Sequence, residues 1–397
     1  MSIDLGDNPV GTPPTDIQKT QLRSSIGLGE TDTVEFGSLI PPAGTTAEID
    51  SVTNATVGQV MIDTNRRRQV RFTGLSSYVD LYSTTSTVEV GAYGNAVENG
   101  NSFKNAYASA KALTPNGSAL SSTNRAVLIL GAGRYDLDGS AFTLDGEFVD
   151  IVVAANLLSD PESLITKQMA VFTNGNFDVT ANDVLIYGLT GDGTMNAAIN
   201  SSKPLQVWQS CSFAGGPSFS PYADGVFINC YGSSRCFGND EAGNGSSAGT
   251  FIDCVSVGSS TFGGGGVDAA GTYIRCKSKL VAASGGPFGS GAAASGYFED
   301  CEAATSGSFG GYDGGSIGVA SGTFIRCKGT GNFSFAGFST FSGIAKHCES
   351  GTNGFATSGT LTGILLWCQN GSSFATVSGA GKTRMCLDGT LTENNQG

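Results

Sequence analysis

The phrase GVFINC, Gly225 to Cys230, recurs with variations through the second half of the chain. Seven further copies follow it, each with a glycine five residues ahead of a cysteine. They are GTFIDC (249–254), GTYIRC (271–276), GYFEDC (296–301), GTFIRC (322–327), GIAKHC (343–348), GILLWC (363–368) and GKTRMC (381–386). Successive cysteines in this series lie 18 to 26 residues apart. A recurrence at that period indicates a solenoid.

The residues of each repeat favour β-strands over helices. β-Branched and aromatic residues stand in runs of four or five between glycines and serines, and the regular leucines of a leucine-rich repeat are missing. A further phenylalanine, here called the second phenylalanine, follows each of the first seven of these cysteines at six to twelve residues: Phe237, Phe262, Phe288, Phe309, Phe335, Phe355 and Phe374. We therefore predict an all-β fold, a right-handed single-stranded parallel β-helix of about twelve coils from Ala126 onward, with coils about 4.8 Å apart.

Nine of the ten cysteines recur once per coil, which predicts a ladder of small apolar core residues. The members are Cys211, Cys230, Cys254, Cys276, Cys301, Cys327, Cys348, Cys368 and Cys386. Disulfides or a metal site are the alternative. Because the chain has no Cys-x-x-Cys pair and His347 is its one histidine, we predict no metal site and no cofactor.

Charge and hydropathy exclude several classes of partner. The 397 residues carry a net charge of −13, whereas a nucleic-acid-binding protein needs a basic stripe. No run approaches 18 apolar residues, so no membrane insertion is expected. The start, MSIDLGDNPVGTPP, lacks the pattern of a secretory signal, which predicts assembly in a cytosol.

The chain divides into three predicted regions. Residues 1–90 hold a small β-module, because residues on both sides of the turn TNRR (64–67) alternate between apolar and polar. Residues 91–125 form a connector whose Ser102–Leu113 segment has helical spacing and would cap the solenoid. Residues 126–397 form the β-helix. The basic residues of the module are Arg66, Arg67, Arg68 and Arg71, which read either as a solvated face or as an electrostatic docking patch.

Two N-terminal phrases resemble segments of bacteriophage virion appendages. GLGETDTVEFGSL (27–39) is similar to short repeats near the virion-proximal ends of tail fibres, and GQVMIDTNRRRQVRFTG (58–74) is similar to small β-modules of such appendages. AVLILGAGRYDLDG (126–139) looks like the entry coil of pectate-lyase-like β-helices. The layout resembles tailspikes and tail fibres. That resemblance implies a homotrimer located on the virion, docked through its N-terminal region to a tail or baseplate protein, with the β-helix exposed to the host.

Carboxylates near the second phenylalanines are weak candidates for catalysis. They are Asp240, Glu241, Asp268 and Asp313. Glycoside hydrolysis needs two carboxyl groups about 5–9.5 Å apart, and stacked coils can supply the shorter spacing. The alternative is that these side chains are solvated turn residues.

Aromatic residues of the repeats are weak candidates for glycan binding. By strand alternation the residue three before each cysteine points outward together with the residue one before it. These positions include Phe251, Tyr273, Phe298 and Trp367. Packing inside a corner, or against a neighbouring chain, is the alternative. Glu299 and Lys346 interrupt an otherwise apolar column and leave the inner face open.

Three functions fit these observations. The first is a phage tail spike or fibre that recognises a host surface polysaccharide without cleaving it. The second is a polysaccharide depolymerase, a hydrolase or lyase, on the same β-helix, although no family catalytic motif is present. The third is a purely structural virion decoration.

Overall fold

The computed structural model describes residues 43–51, 53, 60–63, 68–72, 78–80, 86–153, 170–192, 200–201, 203–217, 219, 222–234, 236–238, 245–258, 261–263, 266–279, 287–289, 291–304, 307–310, 312–313, 316–332, 334–336, 339–352, 354–356, 359–371, 382–387 and 393–396. The chain forms two compact units, Met1–Tyr82 and Ser83–Gly397.

The first unit contains a small mixed sheet and a short helix. Strand Val60–Asp63 pairs antiparallel with Arg68–Phe72, which pairs antiparallel with Tyr78–Asp80. Strand Ala43–Gly44 runs parallel to the first of these. Helix α1 (Thr46–Asp50) begins with a capping box, in which Thr45 and Glu48 satisfy each other's backbone N–H groups. The hairpin is the small β-module that the alternating sequence predicted.

The second unit is a parallel β-solenoid, as predicted. Its first ladder contains the strands that precede the repeat cysteines and their counterparts nearer the N-terminus: Thr87–Val90, Ala126–Leu130, Val149–Val153, Asp183–Tyr187, Leu205–Gln209, Val226–Ile228, Thr250–Ile252, Thr272–Ile274, Tyr297–Glu299, Thr323–Ile325, Ile344–Lys346, Ile364–Leu366 and Lys382–Leu387. Equivalent residues are in register from coil to coil. Phe227, for example, lies opposite Phe251, which lies opposite Tyr273.

Two further ladders complete the coils. The second contains Gly133–Leu144, Ala170–Val179, Leu189–Gly191, Ser212–Pro217, Tyr231–Ser234, Val255–Ser256, Lys277–Ser278, Glu302–Ala303, Lys328–Gly329, Glu349–Ser350 and Gln369–Asn370. The third contains Ala293–Ala294, Val319–Ala320, Thr340–Phe341 and Thr360–Leu361. Asn200–Ser201 pairs with the end of Ala170–Val179, and Tyr312–Asp313 forms a hairpin with Ser316–Ile317.

The coil count is lower than predicted. The solenoid makes about eight turns in its regular repeat, whereas the pattern predicts about twelve coils at 4.8 Å each. The regular repeat runs from Cys211 to Cys386 with one cysteine per turn. Ahead of Cys211 the second ladder uses longer strands, such as Gly133–Leu144, which do not follow the repeat.

A single left-handed residue turns the chain between the first and second ladders. The residue before each repeat cysteine has a φ between 51° and 55°, although none is glycine. Its N–H donates to the next coil, as from Asn229 to the carbonyl of Ile252 at 2.8 Å. Because this corner interrupts strand alternation, the cysteine and the residue three before it both point into the core. Phe227 and Cys230 are both completely buried.

Two columns of stacked rings fill the core. Stack 1 contains Phe227, Phe251, Tyr273, Phe298 and Phe324, with ring centroids 4.8–5.1 Å apart. Stack 2 contains Phe219, Phe237, Phe262, Phe288, Phe309, Phe335 and Phe355, with centroids 4.5–5.0 Å apart. The two stacks meet edge to face, as between Phe251 and Phe262 at 5.8 Å. Offset stacking and edge-to-face contact are the arrangements that aromatic rings prefer.

The repeated glycine is required by close approach between coils. A Cβ atom on Gly296 would lie 2.1 Å from the carbonyl oxygen of Gly271, and one on Gly322 would lie 2.2 Å from that of Gly296. No real Cβ atom tolerates such a contact with backbone. The repeated spacing, a glycine five residues before each cysteine, therefore reflects the close approach of neighbouring coils at this position.

Both ends of the described solenoid are covered. Helix α2 (Ala96–Lys111) begins with a capping box between Asn95 and Glu98 and buries Phe103, Ala106, Tyr107 and Ala110. It starts earlier than the predicted Ser102, and a 3₁₀ turn at Pro115–Gly117 follows it. At the other end, strand Glu393–Gln396 pairs antiparallel with Lys382–Leu387. These elements cover strand edges that would otherwise be open to another chain.

Candidate functional surface

Two columns of alternating charge lie on the outside of the corner. The corner column, one residue before each cysteine, contains Asp253, Arg275, Asp300 and Arg326 in successive coils. The column one residue after each cysteine contains Lys277, Glu302, Lys328 and Glu349. Neighbours in register are about 4.8 Å apart, so like charges would repel and opposite charges attract. The alternation supports the observed register.

The charges of the corner column neutralise one another. Arg275 donates from Nε and Nη2 to the two carboxylate oxygens of Asp253, at 2.7 and 2.8 Å. Arg326 does the same to Asp300 at 2.6 and 2.8 Å, and it also bonds Glu299. The hydrogen bonds from Arg326 hold the pKa of Asp300 below its ordinary value.

The second charged column is paired in the same way. Lys328 Nζ lies 2.8 Å from Glu349, and Lys277 Nζ lies 3.8 Å from Glu302. The hydrogen bond to Glu349 raises the pKa of Lys328. These coils therefore present a neutralised surface to solvent.

The surface changes character in the last three coils. There the corner column becomes His347, Trp367 and Met385. The column two residues before each cysteine, which contains Ile274, Glu299 and Ile325 in earlier coils, becomes Lys346, Leu366 and Arg384. We call this surface the terminal patch, with Ile344, Lys382 and Leu387 at its border. Its large apolar side chains are exposed, with 43% for Trp367, 52% for Met385 and 46% for Ile344. Exposed apolar surface of this kind is typical of an interaction site.

Trp367 is held in place by its neighbours in adjacent coils. Its ring stacks on His347 with centroids 5.0 Å apart and an interplanar angle of 7°. Lys346 Nζ lies 5.5 Å from the indole centroid, within the range of a cation–π contact. The indole Nε1 donates to the sulfur of Met385 at 3.0 Å. The indole is thus oriented while part of its surface stays open to solvent.

The cations of the terminal patch differ from those of the earlier coils. Lys346, Lys382 and Arg384 are exposed and form no ion pair with any residue in the described part of the chain. They stand on a chain whose net charge is −13. The patch is therefore a local basic and aromatic surface on an acidic molecule.

A second group of charged side chains joins the N-terminal coils through ion pairs. Arg125 donates to both carboxylate oxygens of Asp150, at 2.7 and 2.6 Å, and to Asp183 at 2.8 Å. Asp150 also accepts from the backbone N–H of Leu185 at 2.8 Å. These two carboxylates stand on neighbouring coils, but the guanidinium between them occupies the space that a hydrolase leaves for substrate. Their arrangement supports a structural role.

Of the predicted catalytic carboxylates, Asp268 is the one whose side chain the structure describes. Asp240 and Glu241 lie outside the described residues. The backbone of Asp313 is in a hairpin strand, and its side chain is not described. The exposed Asp268 accepts a hydrogen bond from the N–H of Ala293 in the next coil at 2.8 Å. Its observed role is to join two coils.

The predicted glycan-binding aromatics fall into two classes. Phe251, Tyr273 and Phe298 are completely buried in stack 1, so the outward placement is wrong and the alternative, packing inside a corner, is the one observed. The left-handed corner, which strand alternation ignores, turns them inward. The hydroxyl of Tyr273 donates to the carbonyl of Ser247 at 2.6 Å, deep in the core. Trp367 is the exposed member and belongs to the terminal patch.

The predicted docking residues cannot be placed as a surface. Arg66 and Arg67, together with the segment 27–39, lie outside the described residues. The backbones of Arg68 and Arg71 are in strand Arg68–Phe72, but their side chains are not described. An electrostatic docking patch therefore stays a prediction.

The repeat cysteines are buried and free, as is Cys236. Each ladder thiol donates to a carbonyl of the preceding coil, as from Cys254 to Phe227 at 3.4 Å and from Cys301 to Tyr273 at 3.3 Å. Burial raises the pKa of the Cys254 thiol well above its ordinary value. Cysteine suits the position because it is small, apolar and still a weak donor.

Sequence reasoning placed Trp367 and His347 on the outside but missed the patch as a unit. Arg384 and Met385 stand in a less typical repeat, GKTRMC, and are not among the predicted site residues. The available signal was the change in the corner column from alternating acids and bases to His347, Trp367 and Met385. Within the described residues, no group of three or more histidine, cysteine or acidic side chains is arranged to hold a metal ion. No helix described here has the length and apolar character needed to cross a bilayer.

Comparisons with known proteins give one distant likeness. No protein-family model matches the chain, and no curated protein matches its sequence. The structure is similar to ORF18 of Geobacillus virus E2, with a TM-score of 0.34 and 13% sequence identity over 88% of this chain and 73% of that one. At this TM-score the likeness carries no argument about function.

Proposed function

We propose that this chain is an appendage of a bacteriophage virion, a tail spike or tail fibre that recognises a host surface polysaccharide. Two features support the proposal. The segments 27–39 and 58–74 resemble virion-appendage sequences, and a β-solenoid follows a separate compact N-terminal unit. In this role the N-terminal region docks to a tail or baseplate protein, with Arg66, Arg67, Arg68 and Arg71 as the contact residues.

The observation that carries glycan recognition is the terminal patch. The earlier coils present mutually paired charges, whereas the last coils expose Trp367 beside Lys346 and Arg384. A rigid aromatic side chain gives apolar contact area to a sugar ring at a small cost in conformational entropy. Polar groups around the aromatic ring can orient the sugar through directional hydrogen bonds.

A homotrimer is part of the same proposal. The outer face of the first ladder carries a column of partly exposed aliphatic residues ahead of the terminal patch: Ile228, Ile252, Ile274 and Ile325. A neighbouring chain would cover such a column. Light scattering after gel filtration should give three times the mass of one chain, and the mass of a single chain would contradict this part.

The proposal is tested by incubating the purified protein with a panel of bacterial surface polysaccharides and following both by size-exclusion chromatography. We expect a polysaccharide to co-elute with the protein at unchanged length, and Trp367→Ala to weaken that association. Tyr93→Ala, which removes a 98% exposed ring outside the patch, is the matched control. Shortened chains with new reducing ends would make the protein a depolymerase. Absence of both effects would favour a structural decoration.

A further inference from the structure

We propose that the terminal patch binds an acidic polysaccharide, one whose sugars carry carboxylate groups. This inference rests on the proposed glycan recognition and names its substrate class. It uses the charges of the patch, whereas glycan recognition alone requires only the exposed aromatic surface.

The first observation is the state of the cations. In the corner column and the column one residue after each cysteine, every lysine and arginine between Asp253 and Glu349 has an acidic partner from an adjacent coil: Arg275, Lys277, Arg326 and Lys328. Lys346, Lys382 and Arg384 break this pattern within the described residues. Unpaired cations on an exposed surface are available to an anionic ligand without first breaking an ion pair.

The second observation is the geometry of those cations. Lys346 and Arg384 occupy the same column two coils apart, with Leu366 between them in register. Two coil spacings place their backbones about 10 Å apart. An extended polysaccharide lying along the column could therefore present carboxylates to both cations while the sugar between them contacts Leu366 and Trp367.

The third observation is the charge of the rest of the molecule. A net charge of −13 repels a polyanion at long range. Association is therefore expected only where a local basic surface offsets that field. Three cations at one end of the ladder are too few for the continuous basic track of a nucleic-acid site, and they suit short contact with a glycan.

The test compares each polysaccharide that binds with its carboxyl-reduced, neutral form, using wild-type protein and a Lys346→Gln/Arg384→Gln double variant. We expect the bound polysaccharides to be acidic. Carboxyl reduction and the double variant should each weaken binding by about tenfold or more, and added salt should weaken it further. Lys277→Gln, an exposed lysine of an earlier coil, changes the net charge in the same sense and should bind within about twofold of wild type. Equal melting temperatures would show that the variants fold.

Failure of the acidic-ligand inference and failure of the proposed glycan recognition would give different results. Undiminished binding of the carboxyl-reduced polymer, or wild-type affinity in the double variant, would overturn the acidic-ligand inference and leave glycan recognition standing. Failure of every polysaccharide in the panel to bind would overturn both. Binding of anionic phospholipid vesicles that depends on Lys346 and Arg384, without glycan binding, would assign the patch to a lipid surface and overturn the proposal.

Discussion

Phe341 fills the space that Ala345 leaves in the core of the same coil. In the two preceding coils, stack 1 has Phe298 and Phe324 while the third ladder has Ala294 and Ala320. In the next coil the large and small residues exchange places. The ring of Phe341 lies 5.9 Å from Phe324 and meets Phe355 edge to face at 5.8 Å. The coil keeps its volume although its sequence departs from the repeat.

This exchange predicts coupling between the two positions. Phe341→Ala should lower the free energy of unfolding by about 3–5 kcal/mol through a cavity. Ala345→Phe should lower it by about 1–3 kcal/mol through overpacking. The double variant restores the pattern of the preceding coils, so it should be more stable than the sum of the two changes by at least about 1 kcal/mol. Denaturant unfolding measures all three, and strict additivity would contradict the volume exchange.

The column of repeat glycines predicts that a larger residue at one of these positions destabilises the fold. Gly296→Ala would push a methyl group to 2.1 Å from the carbonyl oxygen of Gly271, so neighbouring coils must separate. We expect a loss of about 1–3 kcal/mol in unfolding free energy. The adjacent and exposed Ser295→Ala should change it by less than about 0.5 kcal/mol. Equal stability of the two variants would mean that coil spacing does not require glycine.

Because the ladder thiols are buried, we expect them to react slowly with thiol reagents. Burial raises the pKa of Cys254, Cys276 and Cys301, so the reactive thiolate is scarce as well as inaccessible. In native protein these three thiols should react with a thiol-specific disulfide reagent no faster than the protein unfolds. In denaturant all ten should react at once. A thiol that reacts rapidly while the far-ultraviolet circular dichroism stays native would contradict the ladder.

Much of this architecture can be predicted from the sequence. The part that cannot be predicted depends on one backbone conformation. The period, the cysteine ladder, the small N-terminal β-module and a helix burying Phe103 and Tyr107 follow from spacing and residue type. The inner face does not, because a non-glycine residue such as Asn229 or Asp253 adopts a left-handed φ that composition does not reveal. That one dihedral angle moves Phe251, Tyr273 and Phe298 from the predicted outer face to the core.

The ion pair between Asp300 and Arg326 predicts a dependence of stability on pH. The hydrogen bonds from Arg326 lower the pKa of Asp300 in the folded protein. Stability from this pair is therefore present above the ordinary aspartate pKa of about 3.9 and is lost as pH falls through the lower folded value. Asp300→Asn and Arg326→Gln should each flatten the acid limb of a melting-temperature profile, and high salt should reduce the difference from wild type. An unchanged acid limb in both variants would contradict the assignment.

We propose that the solenoid recognises a surface polysaccharide without cleaving it. The most direct measurement is size-exclusion chromatography of bacterial surface polysaccharides before and after incubation with the protein. We expect co-elution of protein and polysaccharide, no new reducing ends, and loss of co-elution with Trp367→Ala. Shortened chains would contradict the claim in favour of a depolymerase, and Asp240, Asp268 and Asp313 would then be the first residues to replace.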